Sequence, residues 1–95
     1  MEAMETRLRI ASIEDKNRQA LVDEARRHFP GCDVTEEVNG GSEALGVYVY
    51  SRSGRRVCTL RFTCNEWHDY HERPIRAKVS RKIEEAAATA EACGS

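Results

Sequence analysis

The stretch from Ala44 to Cys64 constrains the fold more than any other, because apolar alternation runs on both sides of the turn Arg52-Ser53-Gly54. Side chains along a strand alternate between faces, so slipping a pairing by one residue carries a whole apolar row to the wrong side. With a two- or four-residue loop centred on Ser53-Gly54, Val49 faces Cys58, Val47 faces Leu60 and Leu45 faces Phe62, all on one face. Tyr50 with Val57 and Tyr48 with Thr59 then fall on the other. The pattern predicts an antiparallel hairpin whose apolar face is covered by the rest of the chain.

Upstream, Cys32, Val34 and Val38 share one face of a further strand while Asp33, Thr35 and Glu37 share the opposite one. Asn39-Gly40-Gly41-Ser42 follows, and Asn and Gly tolerate the positive φ that a tight hairpin turn needs. Two helices flank this meander. The first is expected from a cap at Ser12, with Leu21, Val22, Ala25, His28 and Phe29 as its apolar stripe and Pro30-Gly31 as its stop. Arg7-Leu8-Arg9-Ile10 alternates like a strand or extends the helix backward, the second being favoured, and residues 1–11 are set apart as a fraying segment. The last helix starts near Pro74 and carries Ile75, Val79, Ile83, Ala86, Ala90 and Cys93 on one stripe, with Gly94 as its cap and 94–95 as a tail. The expected fold class is therefore α+β: a two-layer α-β-β-β-α domain, with a three-stranded antiparallel meander and both helices on one face. Ninety-five residues leave room for one such domain, 1–95, and not two.

No apolar run reaches the roughly 18 residues that a membrane helix needs, and no secretory leader is evident, so a cytoplasmic protein is expected. The four cysteines, Cys32, Cys58, Cys64 and Cys93, are read as thiols. Cys58 and Cys64 would lie roughly 20 Å apart along one strand, well beyond disulfide reach. No Cys-x-x-Cys pair, Gly-rich phosphate loop, Gly-x-Ser-x-Gly or His-Glu-x-x-His appears. The expectation is a chain that is not an enzyme, with no catalytic set, metal or cofactor.

The densest cluster of reactive side chains is Asn65-Glu66-Trp67-His68-Asp69-Tyr70-His71-Glu72-Arg73. His68 and His71 with Asp69 or Glu72 have donor types suited to zinc, and Cys64 with His68 has the types of a thiol nucleophile and its base. A small metal- or thiol-dependent enzyme around Cys64, His68 and His71 is thus a third-ranked reading. The favoured one is a polar connection with Trp67 and Tyr70 packed at the core edge and Cys64 as an inward hydrophobe.

The formal charge is −1, yet residues 52–82 carry +6 and the remainder −7. Arg73, Arg76, Lys78, Arg81 and Lys82 open the last helix while Glu84, Glu85 and Glu91 close it, which opposes the helix dipole. Cations at a helix start make an anion site, unless Glu66, Asp69 and Glu72 neutralise them. The α-β-β-β-α order with this basic start is similar to the double-stranded RNA-binding domain over about Ser12 to Ala92. The resemblance implies phosphate contacts from Arg76, Lys78, Arg81 and Lys82, and a minor-groove contact from the first hairpin loop. That loop here is Asn39-Gly40-Gly41-Ser42 flanked by Glu36, Glu37 and Glu43, without the family's Gly-Pro-x-His, and the helix lacks its paired-lysine start.

The sheet face away from the helices should gather Tyr48, Tyr50, Val57, Thr59, Arg61 and Thr63. Aromatics beside Arg anchor interfaces or stack on bases. The leading expectation is a non-catalytic interaction module that binds a protein partner or forms a homodimer through Tyr48, Tyr50 and Arg61, or through the basic end of the last helix. RNA binding through Arg73, Arg76, Lys78, Arg81 and Lys82 is the alternative, and no membrane partner is expected.

Overall fold

The computed structural model describes the backbone of residues 2–90 and the side chains of residues 14–90. The chain runs α1 (Glu2–His28), β1 (Asp33–Val38), β2 (Leu45–Tyr50), β3 (Arg56–Phe62), α2 (Cys64–His68) and α3 (Arg73–Thr89). The strands form one antiparallel sheet in the order β1-β2-β3, so the α+β meander is found. Helix α1 begins far upstream of Ser12, which lies inside it; the segment Arg7 to Ile10 is helical and not a strand. The last helix stops at Thr89 with Ala90 as its C-cap, its backbone already extended there, and so falls short of the expected cap at Gly94; Cys93 and the 94–95 tail lie outside the described residues.

The core is one cluster. Leu21, Val22, Ala25 and Phe29 of the first helix and its exit meet Leu45, Val47, Val49, Leu60 and Phe62 of the sheet and Val79 and Ile83 of α3. Burying each such side chain stabilises the fold by about 1.5–3 kcal/mol, which is why both helices sit on the face that β2 and β3 line with apolar residues. Among the described residues, no helix is long and apolar enough to cross a membrane.

The register of the second hairpin is the expected one, reached by a different route. Leu45 pairs with Phe62, Val47 with Leu60 and Val49 with Cys58. The loop, however, has three residues. The Ser51 N–H donates to the Arg55 carbonyl at 2.8 Å, and Gly54 closes the turn in the left-handed region with φ of 87°. An odd loop alone would slip the pairing by one and expose the apolar row. The slip is absorbed between Val49 and Tyr50, where Tyr50 pairs with Arg56 and Val57 becomes the extra residue of a bulge. Val57 is therefore not in the tyrosine row as expected; it is half-buried against the core edge, and Arg56 takes its place beside Tyr50.

Strand β3 ends at Phe62, not Cys64, because Thr63 caps a short helix that the sequence reading took for a polar connection. The Thr63 hydroxyl accepts from the Glu66 N–H at 3.3 Å, and the Glu66 carboxylate accepts from the Thr63 N–H at 2.7 Å, a capping box. Trp67 and Tyr70 pack into the core as expected. The Tyr70 hydroxyl donates to the buried carboxylate of Glu24 on α1. Cys58 and Cys64 are free thiols, but Cys32 is disulfide-bonded, so the reading of all four as thiols fails there. Separation along one strand rules out only a Cys58–Cys64 bridge.

Glu66 explains the inverted charge of α3. Lys82 Nζ lies 3.6 Å and Lys78 Nζ 3.8 Å from its carboxylate, whose side chain is only 7% exposed. Burial by itself pushes the pKa of this group up, but the Thr63 N–H and the two lysines outweigh it and hold the carboxyl below its ordinary range. A carboxylate favoured by folding adds stability above its unfolded value near 4.3 and gives it up as pH falls through the lower folded value. Glu66→Gln should therefore lower stability at pH 7 by about 1 kcal/mol in urea unfolding, and the gap to the parent should close on acidification below about pH 4. A gap that stays constant into acid would show that the ionised carboxylate is not what matters.

Candidate functional site

Three groups of side chains named by the sequence can be located. On the open face of the sheet, Tyr48 and Tyr50 project from β2 and Thr59 and Arg61 from β3. The Arg56 guanidinium stacks over both rings, 5.0 Å from the Tyr48 centroid and 5.7 Å from that of Tyr50, and donates to the Tyr50 hydroxyl at 3.3 Å. Tyr48 lies down along the strand over Gly46: a Cβ built there would come within 2.7 Å of the Tyr48 hydroxyl. Glycine is thus what lets the ring lie flat. The tyrosine, Arg61 and Glu37 border a cavity of about 90 Å³ at the hairpin end of this face. Arg56 is not legible in the sequence as a residue of this face, because the bulge that turns it outward follows from an odd loop and the residues Arg52-Ser53-Gly54 suit even and odd loops alike. Thr63 belongs to the α2 cap and not to this face.

The basic start of α3 is largely engaged within the chain. Besides the two lysines on Glu66, Lys82 Nζ donates to the Arg61 carbonyl and sits 4.9 Å from the Phe62 ring centroid. Arg76 donates to the Tyr70 and His71 carbonyls at 3.3 and 3.4 Å and stacks over the Tyr70 ring. Arg73 and Arg81 are exposed. These five cations do not converge on one open anion cradle; Lys78 and Lys82 hold α3 to α2 and to β3, and Arg76 holds it to the connection that follows α2.

The third group is tighter than its sequence separation suggests. Cys64 and His68 stand one turn apart on α2, with Sγ 3.7 Å from Nδ1 and 3.8 Å from Nε2. Glu43, from the first hairpin loop, brings Oε2 to 3.3 Å from that Sγ and 3.9 Å from His68 Nε2. Glu14 of α1 places Oε1 4.0 Å from His68 Nδ1. The Trp67 indole N–H donates to the Glu43 carbonyl at 2.6 Å, which ties the loop to α2, and the Trp67 ring meets His68 edge-on with centroids 4.0 Å apart. Glu43 itself holds φ of 57°, the only positive φ of a non-glycine residue among those described. His71 is not part of this group: its Nδ1 lies 3.1 Å from Asn17 Nδ2. The sequence carried the signal for the Cys64/His68 pair in Thr63-x-x-Glu66, which starts a helix and so puts positions 64 and 68 on one face. Nothing local could have placed Glu43 or Glu14 beside them.

The surroundings of Cys64 disfavour its thiolate. Desolvation, then the hydrogen bond to Glu43 and the charges of Glu43, Glu14 and Asp69, push the Cys64 thiol above its ordinary value, whereas an attacking cysteine needs the thiolate. No protein-family model, curated protein or solved structure matches this chain.

Replacing Glu43 by Gln removes a hydrogen-bonded charge from beside the thiol, so the Cys64 value should fall and its thiolate fraction at pH 8 should rise. Alkylation by iodoacetamide in the presence of a chelator should then be several-fold faster at Cys64 than in the parent, with Cys58 unchanged, read by peptide mass spectrometry. Equal rates at Cys64 would mean that Glu43 does not govern this thiol.

Proposed function

We propose that the chain is a non-catalytic interaction module that pairs with a second copy of itself through the open face of its sheet. The observation that carries this reading is the order of charge across that face. Ladder partners stand at the same height, so Asp33, Tyr50 and Arg56 form one rung and Glu37, Gly46 and Arg61 another. Acids thus line β1, tyrosines line β2 and arginines line β3. A two-fold axis parallel to β2 in the plane of contact lays β1 of one copy over β3 of the other. Asp33 then meets Arg56, Glu37 meets Arg61, and the Tyr48/Tyr50 ridge meets its own image. An isologous interface requires this self-complementarity, and Tyr and Arg are residue types that carry interface energy. Among the described residues, none of these four charges makes an ion pair within the chain. The α3 cations that an RNA duplex would need are in large part committed to Glu66 and to backbone carbonyls, which ranks nucleic acid second.

Sedimentation equilibrium over a concentration series tests the reading. The parent should dimerise, and each of Glu37→Arg and Arg61→Glu should weaken the dimer by about tenfold or more, since each reversal acts twice by symmetry. The double variant Glu37→Arg/Arg61→Glu should recover most of the loss, while Arg73→Glu should change nothing. A chain that stays monomeric throughout, or a double variant no better than the singles, overturns the proposal; salt-sensitive binding of an RNA duplex by such a monomer would favour the alternative.

A further inference from the structure

We propose that Cys64, His68 and Glu43 form a binding site for a divalent ion of the zinc class. The three offer one sulfur, one imidazole nitrogen and one carboxylate oxygen, and all three donor atoms lie within 4.8 Å of one another. A tetrahedral zinc with Zn–S near 2.3 Å and Zn–N or Zn–O of about 2.0–2.2 Å spaces its donors roughly 3.4–3.6 Å apart. The distances here, 3.3 Å from sulfur to carboxylate, 3.8 Å from sulfur to Nε2 and 3.9 Å from Nε2 to carboxylate, bracket that spacing. Rotations of a few tenths of an ångström would bring all three to one centre.

The donor types choose the ion. Thiolate and imidazole favour zinc and its neighbours over magnesium or calcium, which take oxygen ligands. Glu14 is placed to act on the ligand imidazole from behind. With Nε2 on the ion, Nδ1–H is left 4.0 Å from Glu14 Oε1, a separation that a small tilt of the ring would close to a hydrogen bond. Such a carboxylate fixes the tautomer that leaves Nε2 free to bind. Three protein ligands leave a fourth position for water, and the half-buried cysteine and histidine with the exposed glutamate leave that position on the solvent side.

The surroundings hold these donors before any ion arrives. Three separate segments contribute: α1 brings Glu14, the first hairpin loop brings Glu43, and α2 brings Cys64 and His68. Trp67 joins two of them through its bond to the Glu43 carbonyl, and its ring fixes the plane of His68. Glu43 is kept in a left-handed conformation that glycine would adopt without strain. Glutamate at this position presents its carboxylate to Cys64 and His68 at a conformational cost.

The test uses the full chain with Co²⁺ as a spectroscopic probe and Zn²⁺ in competition. One equivalent of Co²⁺ should produce a thiolate-to-metal charge-transfer band that one equivalent of Zn²⁺ bleaches. Cys64→Ser should abolish the band, Cys58→Ser should leave it, and His68→Gln and Glu43→Gln should each weaken Zn²⁺ binding by tenfold or more. Glu43→Gly guards against a folding artefact: it relieves the backbone while removing the ligand, so it should unfold at no lower urea concentration than the parent and still lose affinity. His71→Gln should bind as the parent does. No saturable binding, a band that survives Cys64→Ser, or binding that depends on His71 and not on Glu43 would each overturn the site.

Discussion

Burial of the row Leu45, Val47 and Val49 on the middle strand is the constraint from which the rest follows. Strand β2 is hydrogen-bonded on both sides, so its inward residues have no route out of the core except a slip of the whole register. All three are fully enclosed by the two helices and by Leu60 and Phe62. Moving them to water would cost several kcal/mol. The three-residue loop therefore yields to the core: the bulge at Val57 absorbs the odd residue, and the apolar pairing is kept.

The same constraint composes the outer face. Once the inward row is fixed, alternation fixes its complement, and the ladder brings Asp33 and Glu37 to one edge and Arg56 and Arg61 to the other at matched heights. Function here is proposed on a surface that the core dictates. The bulge matters to both sides at once, because the residue it turns outward is the arginine that stacks on both tyrosines.

Helix α2 is the second organising element, despite its five residues. Glu66 draws in Lys78 and Lys82, Trp67 grips the first hairpin loop, and nearby Tyr70 grips Glu24 on α1. Long-range polar contacts thus radiate from one short stretch to every layer of the domain. They also account for a helix whose basic start opposes its own dipole, since a carboxylate held beside it returns the lost electrostatic energy.

The parts legible in the sequence were those set by period and by turn chemistry. The alternation about Ser53-Gly54 fixed which residues share the core, and the stripes of α1 and α3 were read with it. What escaped depended on geometry beyond the local chain. Parity of a loop is invisible when Ser and Gly suit several turn types, so Arg56 was missed. Thr63-x-x-Glu66 was a capping box in plain view, but an apolar run leading into Cys64 read as continuing strand. Glu43 and Glu14 come to Cys64 from other elements, which no spacing rule reports.

Amide chemical shifts recorded by NMR through a dilution series bear most directly on the claim that the core-dictated outer face is where the protein meets its copy. Shifts concentrated at Asp33, Thr35, Glu37, Gly46, Tyr48, Tyr50, Arg56, Thr59 and Arg61, with α1 and α3 quiet, are the result this account predicts. Shifts confined to the helices, or none at any concentration, would contradict it.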